Sequence, residues 1–243
     1  MTRRMPALLG PDPVFPPVED ALRDPDGLLA IGGDLSVPRL LAAYRHGIFP
    51  WFSAGQPILW WSPDPRMVFR TDGVHLSTRF RRTLRSSDWI VRADTRFADV
   101  IDACATIERD GQRGTWILPA MRRAYGELRQ RGHAHSIEVF DGDRLVGGLY
   151  GVAIGAMFFA ESMYSAEPGG SKVALAALAH HLHAWGWPLI DAQVENDHLV
   201  RMGADAIPRS AFLARVAAQV DLDEAPGPWT ARFGDFRARE LAG

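Results

Sequence analysis

The chain has one cysteine, Cys104, in 243 residues. It can form no internal disulfide, which excludes a disulfide-stapled secreted scaffold and fits a reducing cytoplasm. Lysine is as scarce. Lys172 is the only one among 27 basic residues, and the rest are Arg. Unbroken apolar runs are missing too. The uncharged stretch Leu145–Ala160 carries four glycines. It is shorter than the ~20 residues a spanning helix needs, so it reads as paired strands and no membrane segment is expected. "MTRRMPALLGPDP" begins basic, but its apolar part is too short for a signal peptide. There is no internal repeat, no low-complexity tract, no nucleophile elbow, no P-loop and no long dinucleotide fingerprint. Covalent catalysis and nucleotide-cofactor chemistry therefore have no signal. His133 and His135, and His180 and His183, are spaced as metal-ligand pairs. Without a cysteine partner they predict no metal site. A net charge of -2 does not mark a nucleic-acid binder by itself.

What is present divides the chain in two. Residues 1–65 are rich in Pro, Gly and Trp and hold one helix, with Ser36 as N-cap, Pro38 in the first turn and Gly47 closing it. They read as a small N-terminal domain. Residues 66–243 read as a larger one. "STRFRRTLRS" is a basic helix capped by Ser77, "WIVRAD" a strand, "RFADVIDACATIER" a helix that buries Cys104, and "PAMRRAYGELRQRG" a helix opened by Pro119. "HAHSIEVF", "RLVGGLYGVAI" and "AMFFAESMY" are successive strands joined by tight turns. "EPGGS" then opens the helix "KVALAALAHHLHAWG", followed by the strand "WPLIDAQV" and the short helices "NDHLVRMGA" and "SAFLARVAAQ". Three antiparallel strands, a Gly turn, a helix and a strand predict an α+β fold with a mixed sheet, like that of the Gcn5-related (GNAT-like) N-acetyltransferases.

Several constellations could carry chemistry. In "PLIDAQV", strand alternation puts Asp191 and Gln193 on one face. A buried carboxylate and a buried amide each cost a few kcal/mol unless paired, so a polar face in a core strand points to a site. Glu161 ends an apolar strand, where a partly buried carboxylate can select a guanidinium or ammonium. Gly170, Ser171 and Lys172 open a helix, whose N-terminus favours an anion. Between Arg79 and Arg96 stand six arginines, Arg81, Arg82 and Arg85 among them, against the acids Asp88 and Asp94. This local excess is either a solvated helix face or a phosphate-facing patch. Trp51, Trp60, Trp61 and Trp116 lie in turn-rich stretches, suited to core packing or to stacking on a base.

"GGDLSVPRLLAAYRHGIFPWFS", "ILWWSPDPR", "GTWI", "GHAHSIEV", "VGGLYGV", "ESM" and "LIDAQV-NDH" together resemble the leucyl/phenylalanyl-tRNA–protein transferase family over roughly Leu28 to Arg209. The resemblance implies an aminoacyltransferase that needs no cofactor. It would move Leu or Phe, with Met as a further donor, from aminoacyl-tRNA to the α-amino group of proteins starting with Arg or Lys, creating a degradation signal. It implies a cytoplasmic monomer with Asp191 and Gln193 as the catalytic pair. Gln193 would accept an N–H of the attacking amine, and Asp191 would orient that amide. Glu161, Tyr125 and Trp116 would hold the acceptor, and Trp51, Tyr44 and Trp116 the terminal adenosine. Leu149, Phe158, Leu178, Leu182 and Ile190 would line the donor side-chain pocket. Gly170, Ser171, Lys172, Arg81, Arg82 and Arg85 would meet tRNA phosphates. The rival readings are an acetyl-coenzyme-A-dependent N-acetyltransferase of the same fold and a non-catalytic RNA-binding module. The short "EPGGS" turn argues against the first and the Asp191–Gln193 pair against the second.

Overall fold

The computed structural model describes residues 5–107 and 115–243. In chain order these form β1 (Ala7–Leu9), β2 (Leu28–Gly32), α1 (Val37–Arg45), β3 (Phe49–Pro50), β4 (Leu59–Trp61), β5 (Arg66–Arg70) and α2 (Thr78–Leu84). They continue with β6 (Ile90–Ala93), α3 (Phe97–Thr106), α4 (Pro119–Gln130), β7 (Ala134–Asp141), β8 (Arg144–Ile154), β9 (Met157–Ser165) and α5 (Gly170–Ala184). The last elements are β10 (Leu189–Gln193), α6 (Asp197–Arg201), β11 (Asp205–Ile207), α7 (Arg209–Gln219), α8 (Thr230–Phe233) and β12 (Phe236–Arg237). The expected helix over 96–109 is seen as α3; Glu108 and Arg109 lie outside the described residues, as does Gly114 of "GTWI".

Strands β1 to β4 make one sheet, in the order β1-β2-β4-β3. The other eight make a second, in the order β11-β5-β10-β9-β8-β7-β6-β12. The second sheet is antiparallel except at its β9–β10 pair, which is parallel. Alternation sorts its side chains onto two cores. Phe158 and Ile190 face a core built on α5. Phe159 and Leu189 face one shared with the N-terminal sheet, α1, α3, α4 and α7. Both strand faces are buried, so β8 and β9 read as near-continuous apolar runs. Cys104 is buried in the second core.

Glycines set how closely α5 can approach. A Cβ on Gly170 would lie 2.4 Å from the Val146 carbonyl, and one on Gly147 2.5 Å from the Gly170 backbone. Gly169 turns the chain into the helix with φ +95, which L side chains rarely adopt. The parallel β9–β10 ladder is short. It pairs Ile190 with Phe158 and Asp191 with Phe159, then stops. Beyond those carboxyl ends the two strands are no longer paired, and a cleft opens at the mouth of the pair, where ligands of parallel sheets commonly sit.

Candidate active-site cleft

The cleft has a volume of about 590 Å³. Its apolar lining includes Phe69, Leu149, Met163, Leu175 and Leu199, and Trp51 and Trp116 also line it. Trp51 is 40% exposed, with its ring 5.8 Å from that of Trp61. Glu161 and Gln193 line the polar side, together with Glu195, Asn196 and His198.

Beneath the cleft is a buried polar network. Asp191 and Arg66 are both fully buried. Arg66 donates to both carboxylate oxygens, Nε to Oδ1 at 2.8 Å and Nη2 to Oδ2 at 2.7 Å. Its guanidinium lies 4.7 Å from the Phe49 ring centroid and 4.6 Å from that of Phe212. The charge pair is thus clamped between the N-terminal sheet and α7. Asp191 Oδ1 also accepts the Gln193 backbone N–H at 3.0 Å. That bond sits on an irregular backbone: a bulge separates Asp191 from Gln193, and Gln193 has φ +63. Left-handed backbone is uncommon outside glycine and costs about 1–2 kcal/mol. It is tolerated where its surroundings over-determine it, commonly at functional sites.

Gln193 Nε2 donates to Glu161 Oε1 at 2.8 Å. The Tyr44 hydroxyl reaches the same oxygen at 2.7 Å, and the Tyr125 hydroxyl reaches Oε2 at 2.7 Å. The two hydroxyl oxygens are 2.5 Å apart. Burial is the largest influence on Glu161. It outweighs the bonds from Tyr125, Tyr44 and Gln193 and pushes the carboxyl up to about 7, with the nearby Asp191 adding to the rise. Burial also raises both tyrosines, with the Glu161 charge acting in the same direction.

The structure therefore brings some expected residues together and moves others away. Asp191 does not orient the Gln193 side chain. It holds the Gln193 backbone, and Glu161 holds the side-chain amide, because the bulge ends the simple alternation between them. Tyr44 and Tyr125 are fully buried beneath Glu161, not exposed for stacking on a base or a peptide. Of the five expected pocket residues only Leu149 lines the cleft. Phe158, Leu178, Leu182 and Ile190 are fully buried in the α5 core, since the cleft opens at the strand ends and not along the face those residues share.

The expected phosphate turn is also occupied. The Ser171 N–H donates to Ser165 Oγ at 2.8 Å, and the Gly170 N–H to the Glu167 carbonyl at 3.0 Å. Gly170 is explained by the close approach to β8, and Gly169 by its left-handed turn against the Phe80 ring. Lys172 lies over the Phe80 ring at 5.8 Å. Arg81 donates to the Leu76 and Gly243 carbonyls at 3.1 and 2.9 Å, which ties α2 to the end of the described chain. Arg92 and Arg96 pair with Asp235 and Asp99. Arg79, Arg82 and Arg85 are left exposed, three residues apart along α2 and its C-cap.

Arg66 was not singled out by the sequence reading. It stood in view in "SPDPRMVFR", but its five-residue strand follows a proline-rich turn and carries an arginine at each end, so it gave no periodic signal. Glu195 precedes the "NDH" stretch and His198 closes it, and neither shows a periodic pattern that marks it as a site residue.

Fold and cleft together define a mixed α/β enzyme with an apolar cleft above a buried acid–amide network. A family model described as leucyl/phenylalanyl-tRNA protein transferase matches residues 68–217, and the N-terminal domain of the same family matches residues 33–64. The chain belongs to this family. A leucyl/phenylalanyl-tRNA–protein transferase of Xanthomonas campestris pv. campestris (strain B100) is 66% identical, over 100% of this chain and 98% of that protein. One of Xylella fastidiosa (strain 9a5c) is 62% identical, over 97% and 98%. Among solved structures, L-PGS from Bacillus licheniformis shares 8% identity at a TM-score of 0.38, over 69% of this chain and 53% of that one. That likeness is too low to support an argument. Among the described residues no helix is long and apolar enough to cross a membrane.

Proposed function

We propose that the protein transfers Leu or Phe from aminoacyl-tRNA to the α-amino group of proteins that begin with Arg or Lys, with Met as a further donor. The observation that carries this reading is the pairing of full-length similarity to proteins of that name with a cleft suited to the reaction. Aminolysis of an ester is downhill, so positioning can supply most of the acceleration. The apolar lining takes the donor side chain. Trp51 and Trp116 at the same cleft hold the terminal adenosine by stacking. With its Nε2 turned to Glu161, the Gln193 amide has its carbonyl oxygen available to the attacking amine, and Asp191 fixes the backbone that carries it. Asp191 acts through Gln193 and is a positioning residue. Glu195 is the exposed carboxylate lining the cleft, and the acceptor's cationic side chain is read there, while Glu161 acts on the acceptor through Gln193.

The tRNA body lies on the basic side of the cleft. Burial first, then the charges of Lys172 and Arg201, depress His198 in the cleft lining, which supports a basic side to the cleft. Lys172 adjoins α2 through Phe80. In this proposal the chain has two domains divided at residue 65, the second acetyltransferase-like, a reading supported by the antiparallel β7–β9, the crossing α5 and the parallel β10. The chain acts as a cytoplasmic monomer in this proposal.

Three measurements test it. Incubation with charged tRNA and an Arg-starting peptide should add the mass of Leu or Phe to the peptide; an acetyl adduct from acetyl-coenzyme A instead would reject the reading. Met163→Phe narrows the cleft and should disfavour Phe relative to Leu as donor by about tenfold, the scale of 1–3 kcal/mol for a methylene-sized change. Changing Arg79, Arg82 and Arg85 to Glu should flatten the salt dependence of tRNA affinity by about one unit per lost phosphate contact. An unchanged slope returns these arginines to a solvated helix face.

A further inference from the structure

Three oxygen–oxygen contacts join Tyr44, Tyr125 and Glu161: 2.5 Å between the hydroxyls, 2.7 Å from Tyr44 to Oε1 and 2.7 Å from Tyr125 to Oε2. Each contact at hydrogen-bond length needs a proton between its oxygens. The two tyrosines supply one each. If Glu161 were a carboxylate, one of the three contacts would press lone pair against lone pair among buried side chains. Turning both hydroxyls toward the carboxylate leaves the 2.5 Å contact without a proton; turning one away leaves a 2.7 Å contact bare. A third proton closes the ring.

The groups around the ring agree. Tyr44 comes from α1, Tyr125 from α4, Tyr150 from β8, and Asp191 and Gln193 from β10. None is a cation, and the buried guanidinium of Arg66 on β5 is committed to Asp191. The direction of the ring follows from Gln193. Oε1 accepts from both Tyr44 and Gln193 Nε2, which suits the carbonyl oxygen of an acid. The proton then sits on Oε2 and is donated to Tyr125, Tyr125 donates to Tyr44, and Tyr44 donates to Oε1.

We propose that Glu161 is a neutral acid closing a three-proton ring with Tyr44 and Tyr125, and that this ring is the positioning device that fixes which end of the Gln193 amide faces the acceptor amine. The functional consequence rests on the aminoacyl transfer proposed above; the proton count does not. As pH rises the ring loses its proton, one tyrosine must turn away, and the hold on Gln193 loosens. The folded-state value of about 7 lies above the ordinary carboxyl value of 4.5. The stability this group contributes is therefore full below 4.5 and is lost as pH rises through about 7.

The test has a spectroscopic arm and a kinetic arm. Infrared spectra of the protein with isotope-labelled glutamate should show a protonated-acid carbonyl band at neutral pH. The band should be absent in Glu161→Gln and should fade as pH rises. Only carboxylate bands at neutral pH in folded wild-type protein would overturn the ring, whatever the enzyme does. In the kinetic arm, Glu161→Ala should lower kcat about 10²-fold with little change in donor KM. Glu161→Gln keeps a carbonyl for Tyr44 and Gln193 and an N–H for Tyr125, so it should recover most of that loss. The ratio of wild-type to Glu161→Gln rates should fall as pH rises. Glu161→Gln as impaired as Glu161→Ala, in folded protein, would overturn the positioning role. If the wild type moves no amino acid at all, the proposed function fails, while the infrared result still decides the ring.

Discussion

Arg66→Met should destabilise the protein by about 3–5 kcal/mol, the cost of leaving a buried carboxylate without its partner. Asp191 is wholly inside, and without Arg66 its carboxylate keeps, among the described residues, only the hydrogen bond from the Gln193 backbone N–H. Arg66 also fills the space between the Phe49 and Phe212 rings, and a methionine keeps most of that contact. The loss should therefore report charge rather than volume. Denaturant unfolding measures it directly. The double variant Arg66→Met with Asp191→Leu should regain most of the stability, because apolar replacements for a buried ion pair are often neutral or better. It should not regain transfer. The pair would then be there for the geometry of β10, not for the strength of the fold. A double variant that transfers normally would remove Asp191 from the mechanism.

How far this was legible in the sequence depends on whether a residue's neighbours are local. The run from β7 to β10 was, since apolar alternation, tight turns and a glycine-opened helix are short-range signals. So were α1, α2 and α4, with their proline or serine starts. The isolated short strands were not. β1, β5, β11 and β12 are two to five residues long and gain their form from sheet partners far away in sequence. Leu178, Leu182 and Ile190 show the same limit at the site. They are apolar on elements next to the cleft, which sequence can suggest, but the place where β9 and β10 part decides what is lined. The "EPGGS" turn shows it again: Gly170 answers to the backbone of β8 and Gly169 to the Phe80 ring of α2, and nothing within five residues reports either. Asp191 and Gln193 were readable because polar residues inside an apolar strand conflict with burial wherever the partner sits.

That conflict returns in the largest kinetic effect expected. Gln193→Ala should lower the rate of transfer with both substrates bound by about 10²-fold or more, the scale of one lost positioned polar group. Donor affinity should barely move, because the amide meets the acceptor nitrogen near the transition state. Gln193→Gly sharpens the argument. Gln193 holds φ +63, a conformation that costs an ordinary residue about 1–2 kcal/mol and glycine little. The glycine variant should therefore be at least as stable as the alanine variant, and rival the wild type despite losing the bond to Glu161, while being equally slow. Stopped-turnover transfer assays beside thermal melts separate the two quantities. A slow but unstable glycine variant would mean that the amide serves the fold. A stable and slow one would mean that the left-handed turn exists to carry a glutamine where the backbone alone would prefer glycine, and that Glu161 on one side and Asp191 on the other hold it there for the reaction.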